Sequence, residues 1–477
     1  MFHQALTRRS FLQAAAVTAA GTLVAACTPA ATPEVKEVEK IVQQTVVVKE
    51  TQVVKVVEEV QKVVTATPGP AAPVTIYFPQ AMGDDGQPVF EGIAKRFQQK
   101  HPNVTVKVDP TFDWDSQKYL VQAAAGTAPD IIWGDEDWSF LLSSKGVLLD
   151  LNPFMDASGF KRDNYADILD KFSWQGKLFS FPIWIGAEGV FFNLDLLDKA
   201  GLELPPDNWT YEDMRTMAKQ LTIDENKDGD PEQYGIHIQT GWDNPWGSTV
   251  MAYGGKFYSA DGTDFVLCQK PNYDGLQYLI DLIHKDKVAP TPEITEALAG
   301  GGDPFQTGVC AMTISNPWGF ARYRRGATFT WDCAPMPLGP TGGKGASLSS
   351  DSLSIYRGSK NPDVAWQFTD ELLSFESQKA YCTEFKGPQP VHKEAFQYWL
   401  RPEDPPKHQQ LFIDALEYAE CPMWSMFSYI VQDPFYMALG DVTSGNKSLE
   451  EAMDEVCQPI KEAIQAEIEK LASYSGS

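Results

Sequence analysis

The sequence predicts an α/β protein of two lobes, joined by a hinge that the chain crosses several times. Its 477 residues exceed what one hydrophobic core usually organises. Residues 74–108 have the order strand, loop, helix and strand, which is typical of a βαβ unit. In the run 179–201, two short apolar stretches flank Gly186, Ala187 and Glu188, which are too small and polar for a core centre. A chain that passes from one lobe to the other needs such a stretch.

The first 26 residues carry the pattern of an export signal. Arg8 and Arg9 precede an apolar run of small residues at 14–24, which is too short for a lasting transmembrane helix, and a Val-Ala-Ala-Cys sequence ends at Cys27. This segment resembles a twin-arginine signal joined to a lipobox, which implies cleavage before Cys27 and a lipid on its sulfur. No second apolar segment of spanning length follows, so we expect a cell-membrane protein held by that lipid alone, on the extracytoplasmic side or in the periplasm.

Residues 27–73 form a separate compositional segment, rich in Val, Lys, Glu, Thr and Pro and without aromatic residues. We expect a stalk that holds the lobes away from the membrane. A self-associating coiled coil is the alternative, although β-branched residues are mediocre helix formers. It rests on valines at helical spacing, namely Val53, Val54, Val57, Val60 and Val64.

The βαβ unit opens the first lobe. We expect a strand at 74–78, a loop around Asp84, a helix that starts at Pro88 and a second strand at 104–108. Proline is well tolerated in the first turn of a helix, where its missing N–H has no partner to lose.

A third strand is predicted to end at the ligand site. A helix at 116–125 leads into a strand at 130–133, which is followed by Asp135, Asp137 and Trp138. In an open parallel sheet, ligands bind outside the carboxyl ends of the strands. We therefore expect these three side chains to lie beside the ligand.

Three later helices carry start signals. Asn193 offers a side-chain acceptor to the free amides of a short helix that Gly201 ends, because glycine tolerates the left-handed conformation there. Thr210 is expected to cap a helix that ends at Leu221, and Asn361 is expected to cap a helix at 363–373.

Several stretches together resemble the extracellular solute-binding proteins of ABC importers, in the group of maltose and oligosaccharide receptors. In chain order they are AAGTAPDII (124–132), FSFPIWIGAEGVFFNLDLLDKAG (179–201), FQTGVCAMTISNPW (305–318), APMPLGP (334–340) and SKNPDVAW (359–366). The resemblance covers residues 74–470 in the same order. It implies a periplasmic-binding-protein-like fold, a carbohydrate ligand bound by hinge closure, and a membrane permease and an ATPase as partners.

The resemblance also implies where the lobes begin and end. Crossings would fall near Gly186, at 347–355 and at 388–392. The first lobe would then comprise residues 74–185 and 346–392, and the second lobe residues 186–345 and 393–477.

The candidate ligand-binding residues are tryptophans and acids near predicted strand ends and crossings. A tryptophan face stacks on the C–H face of a pyranose, and carboxylates accept protons from its hydroxyl groups. Core packing is the alternative for each tryptophan taken alone. The full set is Asp84, Trp133, Asp135, Asp137, Trp138, Trp184, Glu188, Trp242, Trp246, Trp318, Asp351 and Trp424.

The net charge of −25 excludes several classes of partner. Such an acidic surface repels nucleic-acid phosphates and anionic lipid head groups. It also disfavours highly anionic ligands, because the only clustered cations are Arg322, Arg324 and Arg325. We expect a monomer that touches the membrane only through its anchor and binds no nucleic acid.

Catalysis is the main alternative to binding. Asp135, Asp137 and Glu188 could form the acid and base of a cell-surface glycoside hydrolase, but the sequence does not determine the carboxylate separation that this chemistry requires. GxSxG, HExxH and complete phosphate-loop motifs are absent. A binding protein that is not an enzyme is the remaining interpretation. A chemosensory or adhesion receptor without transport would share every feature.

One loop resembles a calcium site. Asp224, Asn226 and Asp228 place oxygens at alternate positions before a glycine, as in an EF-hand, but the twelfth position is Gly235 instead of glutamate. A solvated turn is the alternative, and no other cofactor is expected.

Six cysteines besides Cys27 allow 15 complete disulfide pairings. Cys310 and Cys333 lie in neighbouring strand-like runs and could form a disulfide, with buried free thiols as the alternative. No CxxC or CxxH spacing occurs, which argues against a structural zinc site.

Overall fold

A computed structural model describes residues 35–39, 62–66, 72–240, 245–270, 272–300, 302–423 and 425–475. The predicted signal, the lipidation site Cys27, and the candidates Trp242 and Trp424 lie outside these ranges. In the unit formed by residues 1–72, β1 (Val35–Glu39) pairs antiparallel with β2 (Lys62–Ala66). Val64, the last residue of the helical valine spacing, is therefore part of a strand. The stalk itself stays a prediction.

The second unit comprises residues 73–477. Its strands are β3 (Val74–Pro79), β4 (Val104–Asp109), β5 (Ile131–Asp135), β6 (Ser173–Trp174), β7 (Lys177–Leu178), β8 (Ser180–Pro182), β9 (Trp184–Ala187), β10 (Gly189–Asn193), β11 (Tyr234–His237), β12 (Cys310–Ser315), β13 (Trp331–Pro335), β14 (Leu348–Ser349), β15 (Asp351–Ile355) and β16 (Gln389–Pro390).

Its helices are α1 (Gly83–Lys100), α2 (Ser116–Ala125), α3 (Glu136–Ser144), α4 (Asn152–Ser158), α5 (Leu194–Ala200), α6 (Tyr211–Leu221), α7 (Trp246–Ala252), α8 (Asp274–His284), α9 (Pro292–Ala299), α10 (Gly319–Gly326), α11 (Pro362–Leu373), α12 (Phe375–Ala380), α13 (Phe396–Trp399), α14 (Gln410–Ala415), α15 (Ser428–Thr443) and α16 (Leu449–Ser475). Across the ranges that the structure describes, the search for a helix long and apolar enough to cross a membrane finds none.

Two large hydrophobic cores confirm the predicted two-lobe α/β architecture. The core of the first lobe joins β3 to the helices beside it, with the Phe78 ring 5.7 Å from Phe90 of α1 and 5.5 Å from Phe368 of α11. The core of the second lobe is built around strands β10 and β12, with Val190 and Met312 fully buried. Each lobe therefore folds around its own apolar centre.

The three predicted crossings are hydrogen-bonded neighbours in one small sheet. Strand β9 lies between β14 and β16, with Ser349 opposite Gly186 and Gln389 opposite Ile185. Gly186 and Ala187 belong to strand β9, so only Glu188 separates β9 from β10 of the second lobe. The predicted crossing therefore lies at these residues, and backbone pairing with the other two crossings extends the first strand over Gly186 and Ala187. We call β9, β14 and β16 the hinge sheet.

Most predicted helix signals are confirmed. Helix α2 has the predicted bounds, and Thr210 forms a complete capping box with Asp213 at the start of α6. The Asn193 side chain accepts from the backbone N–H of Leu196 at 3.2 Å, and Gly201 ends α5 with φ 67°.

Two start signals differ from the prediction. Asn361 precedes α11, but its side chain makes no capping hydrogen bond. Helix α1 begins at Gly83, so Asp84 lies in its first turn and Pro88 inside the helix, where the prediction had a loop and a helix start. Acidic side chains in a first turn are stabilised by the positive end of the helix dipole.

The disulfide differs from the expected pairing. Cys268 is bonded to Cys457, which ties the loop before α8 to the C-terminal helix α16. Cys310 and Cys333 are buried and form no disulfide. Strand β10 lies between their strands β12 and β13, so two strand spacings of about 4.8 Å separate them, which is too far for a disulfide.

Candidate functional site

The two lobes contact each other beside the hinge sheet, and we call the boundary between them the interlobe cleft. At one edge, Arg325 of α10 forms an ion pair with Asp85 of α1 at 2.5 Å. Elsewhere the side chain of Gln432 on α15 donates to Asp137 of α3, beside an ion pair that joins Lys145 to α16. These side-chain contacts join the two lobes.

Two acids of the first lobe face each other next to the hinge sheet. Strand β15 lies between β5 and β8, and its pairing with β5 places Asp351 directly opposite Asp135. Trp133 Nε1 donates to Asp351 Oδ2 at 2.9 Å. Asp135 Oδ1 accepts from the backbone N–H groups of Asp137 and Trp138, both at 3.2 Å, and so caps helix α3. We call Asp135 and Asp351 the acid pair.

Burial governs the protonation of the acid pair. Burial raises the pKa of Asp351 to about 7. Hydrogen bonds from Trp184 and Trp133 lower this pKa, and the negative charge of Asp135 raises it further. Burial also raises the pKa of Asp135 to about 6, despite the two backbone N–H groups that favour the carboxylate. The acid pair therefore binds a proton close to neutral pH.

Trp318 is a residue of the second lobe that lies at the interlobe cleft. It follows β12, precedes α10, is half-buried, and packs against the core of the first lobe. The Arg322 guanidinium lies 5.1 Å from the centroid of its ring. Arg322 was not among the predicted site residues, although its position one helical turn after Trp318 could have indicated the contact.

Polar side chains form hydrogen bonds between the chain segments at the base of the interlobe cleft. Glu188 is completely buried, and its Oε2 accepts from the backbone N–H of Ser347 at 3.1 Å. Asn316 Nδ2 donates to Ser349 Oγ at 2.8 Å. These bonds connect the second lobe and the first crossing to the second crossing, so Glu188 acts structurally in this arrangement.

Two of the predicted stacking residues lie in the hydrophobic cores instead. The fully buried Trp133 ring is 6.0 Å from Phe78 and 5.6 Å from Phe90. Trp246 is also fully buried, and its Nε1 donates to the Gln239 carbonyl at 2.8 Å. Both rings are fully buried, so neither ring face is available to a ligand, and both indole N–H groups have partners inside the protein.

Two further candidate tryptophans, Trp138 and Trp184, are almost completely buried. Trp138 is 8% exposed and packs on Tyr119, with ring centroids 5.3 Å apart, and beneath Gly134, where an added Cβ would come within 2.7 Å of the indole. Trp184 is 3% exposed in the hinge sheet. Asp84 is exposed at the start of α1.

The loop that resembles a calcium site uses its oxygens to form a turn. Asp224 accepts from the backbone N–H groups of Lys227 and Gly229, and Asn226 from that of Asp228. Across the described ranges, no group of three or more His, Cys, Asp or Glu side chains is arranged to hold a metal ion. Calcium binding stays a prediction, which a calcium titration followed by melting temperature would test.

Comparisons with known proteins agree on one family. The profile of the bacterial extracellular solute-binding proteins matches residues 57–379. A binding protein from Brucella abortus (strain 2308) is 25% identical over 354 residues, which cover 72% of this chain and 83% of the relative. The sn-glycerol-3-phosphate-binding periplasmic protein of Escherichia coli (strain K12) is 27% identical over 283 residues, or 56% of this chain and 61% of the relative.

Solved structures share the fold. An ABC substrate-binding protein from Listeria monocytogenes in complex with cycloalternan superposes with a TM-score of 0.74 at 22% identity, over 82% of this chain and 99% of that one. A Mycobacterium tuberculosis protein in complex with glycerophosphocholine gives 0.70 at 18% identity, over 84% and 99%. The family and these neighbours are binding proteins.

Proposed function

Because this chain belongs to the bacterial extracellular solute-binding proteins, we propose that it delivers a sugar or oligosaccharide to the permease and ATPase of an ABC importer. The ligand lies in the interlobe cleft, between Trp318 of the second lobe and the acid pair of the first. The single observation that carries this proposal is the half-buried Trp318 ring of the second lobe, which packs against the core of the first lobe. A tryptophan face together with carboxylates is the combination that recognises a pyranose.

The charges around the interlobe cleft favour a saccharide over a phosphodiester. A bound phosphate is usually held by arginine or lysine in charge-assisted hydrogen bonds. Arg322 already pairs with Asp303 at 3.2 Å, and Arg325 with Asp85. The acid pair would repel a phosphate that entered beside it.

The proposal is tested by a thermal-shift screen over saccharides, with Trp318→Ala beside the wild type. A ligand at about 100 times its Kd adds about 2.7 kcal/mol to the free energy of unfolding. We expect Trp318→Ala to weaken binding by at least about 1 kcal/mol, because it removes the stacking surface.

The control for that experiment is Trp174→Ala, which removes another half-buried tryptophan, in the β6–β7 hairpin. It should leave affinity unchanged. Binding as tight as wild type in Trp318→Ala, or no saccharide that shifts the melting temperature, would contradict the proposal.

We further propose that the protein is a monomer, anchored on the extracytoplasmic side of the membrane through a lipid on Cys27. Cys27→Ser should release the protein into the soluble fraction with its melting temperature unchanged, because the lobes begin only at residue 73. Fractionation and immunoblotting measure this. Membrane retention of the variant would count against the anchor.

Two alternatives predict other results. A glycoside hydrolase would release products over time, but Glu188, one of its candidate catalytic residues, is completely buried and bonded to Ser347. A chemosensory receptor would bind the same saccharide without transport. Deletion of the gene should abolish uptake of the ligand if the importer role is right.

A further inference from the structure

We propose that the acid pair, Asp135 and Asp351, binds a positively charged group of the ligand, so that the cargo is an amine-bearing saccharide. This inference rests on the proposed function, because it assumes that a saccharide enters the interlobe cleft. It goes further by assigning a charge to the ligand and a position to that charge.

Strand register forces the two carboxyl groups together. Asp351 is the direct partner of Asp135 in the antiparallel pairing of β15 with β5. Side chains of directly opposed residues emerge on the same face, with Cβ atoms about 5 Å apart. Like charges at such positions destabilise a sheet, so two ionised carboxylates here require compensation.

Among the residues that the structure describes, no cation compensates the acid pair. In the described part of the chain, neither Asp135 nor Asp351 forms an ion pair with lysine, arginine or histidine, and no cation contributes to the pKa of either group. The neighbouring groups are the acid Asp137 on α3, which contacts the neutral Gln432, and the phenol of Tyr381 behind Asp351. An unpaired buried carboxylate is costly, which is why each binds a proton so readily.

A buried polar group points at the same place. Trp184, which is 3% exposed, directs its indole N–H toward the Asp351 carboxyl and lowers its pKa. That N–H nevertheless makes no hydrogen bond of normal geometry with the described residues. The acid pair thus lies beside a buried N–H that favours its ionised form, and an ammonium group of a ligand would add the missing opposite charge through ion pairing.

A cation that binds to the acid pair should then displace the proton that the pair holds. With the pKa of Asp135 raised to about 6 and that of Asp351 to about 7, the pair is largely protonated at pH 5 and ionised at pH 8. Affinity for an amine-bearing saccharide should therefore rise across this interval. A neutral saccharide should show little change.

Isothermal titration calorimetry of the full chain tests this with 2-aminoethyl β-maltoside, whose amine stays largely protonated at pH 8, and its neutral N-acetylated counterpart, at pH 5, 6.5 and 8. We expect the amine to bind about thirtyfold more tightly at pH 8 than at pH 5, because the acid pair must lose its proton before it can pair with the ammonium group. At pH 6.5, comparison of buffers with different ionisation enthalpies should show net proton release for the amine only.

Asp351→Asn should remove both the amine preference and the proton release. Asn keeps an oxygen that can accept from Trp133 Nε1, so the fold should persist, and Asp274→Asn, a first-turn acid of α8, is the matched control. Equal or tighter binding of the neutral sugar would overturn the inference and leave the proposed function standing. Stabilisation by calcium chloride alone that Asp351→Asn abolishes would also overturn it, and binding of no saccharide at all would overturn both proposals.

Discussion

Trp246→Ala is expected to lower the free energy of unfolding of the second lobe by about 3–5 kcal/mol, the usual cost of emptying a large buried aromatic site. The Trp246 ring is fully buried in the core of that lobe and its N–H is bonded to Gln239. The variant therefore loses both packing and a satisfied polar group. Urea unfolding followed by circular dichroism measures the loss.

Trp318→Ala should behave in the opposite way, with weaker saccharide binding and a small change in stability. Trp246→Ala that still folds should keep its affinity, because the ring does not face the interlobe cleft. Normal stability together with lost binding in Trp246→Ala would show that the ring serves the ligand after all.

Cys457→Ser should destabilise the second lobe by about 3–5 kcal/mol. The Cys268–Cys457 disulfide closes a loop with a sequence separation of 189 residues, and a crosslink over such a length strongly restricts the unfolded chain. Helix α16, which contributes Ile460 and Ile464 to the core of the second lobe, would lose this link to the rest of the lobe.

Reductant provides the internal control for this prediction. Dithiothreitol should lower the urea midpoint of the wild type toward that of Cys457→Ser and leave the variant unchanged. Equal midpoints of wild type and variant under oxidising conditions would contradict the stabilising role. Structural disulfides persist in oxidising compartments, which agrees with the extracytoplasmic location of this family.

Local signals predicted the elements of this fold well. Asn193, Gly201 and Thr210 act through contacts within a few residues, so their capping roles could be inferred from sequence alone. The first crossing was also found, because small residues interrupt an apolar run there, whereas the other two crossings followed from the family resemblance. The extension of β9 over Gly186 and Ala187 depends on partners about 160 and 200 residues away and left no local signal.

The site was harder to predict because burial is a tertiary property. Trp133 and Trp318 both lie near strand ends, yet Trp133 packs between Phe78 and Phe90 inside a lobe, whereas Trp318 is half-buried where the two lobes meet. Nothing near either residue in the sequence separates these outcomes. To predict that Asp135 lies opposite Asp351, one would need the register of β15 against β5, and no sequence motif encodes that register.

The position of β15 in the sheet of the first lobe also determines when that lobe can fold. Strand β15 separates β5 from β8, although it follows them by more than 160 residues of chain. Until the ribosome has synthesised residue 355, the edges of β5 and β8 that pair with β15 have no partner strand. Unpaired strand edges promote aggregation. Closure of this sheet also requires a very long loop, which slows folding. The nascent first lobe is therefore a natural client for chaperones until most of the second lobe has been synthesised.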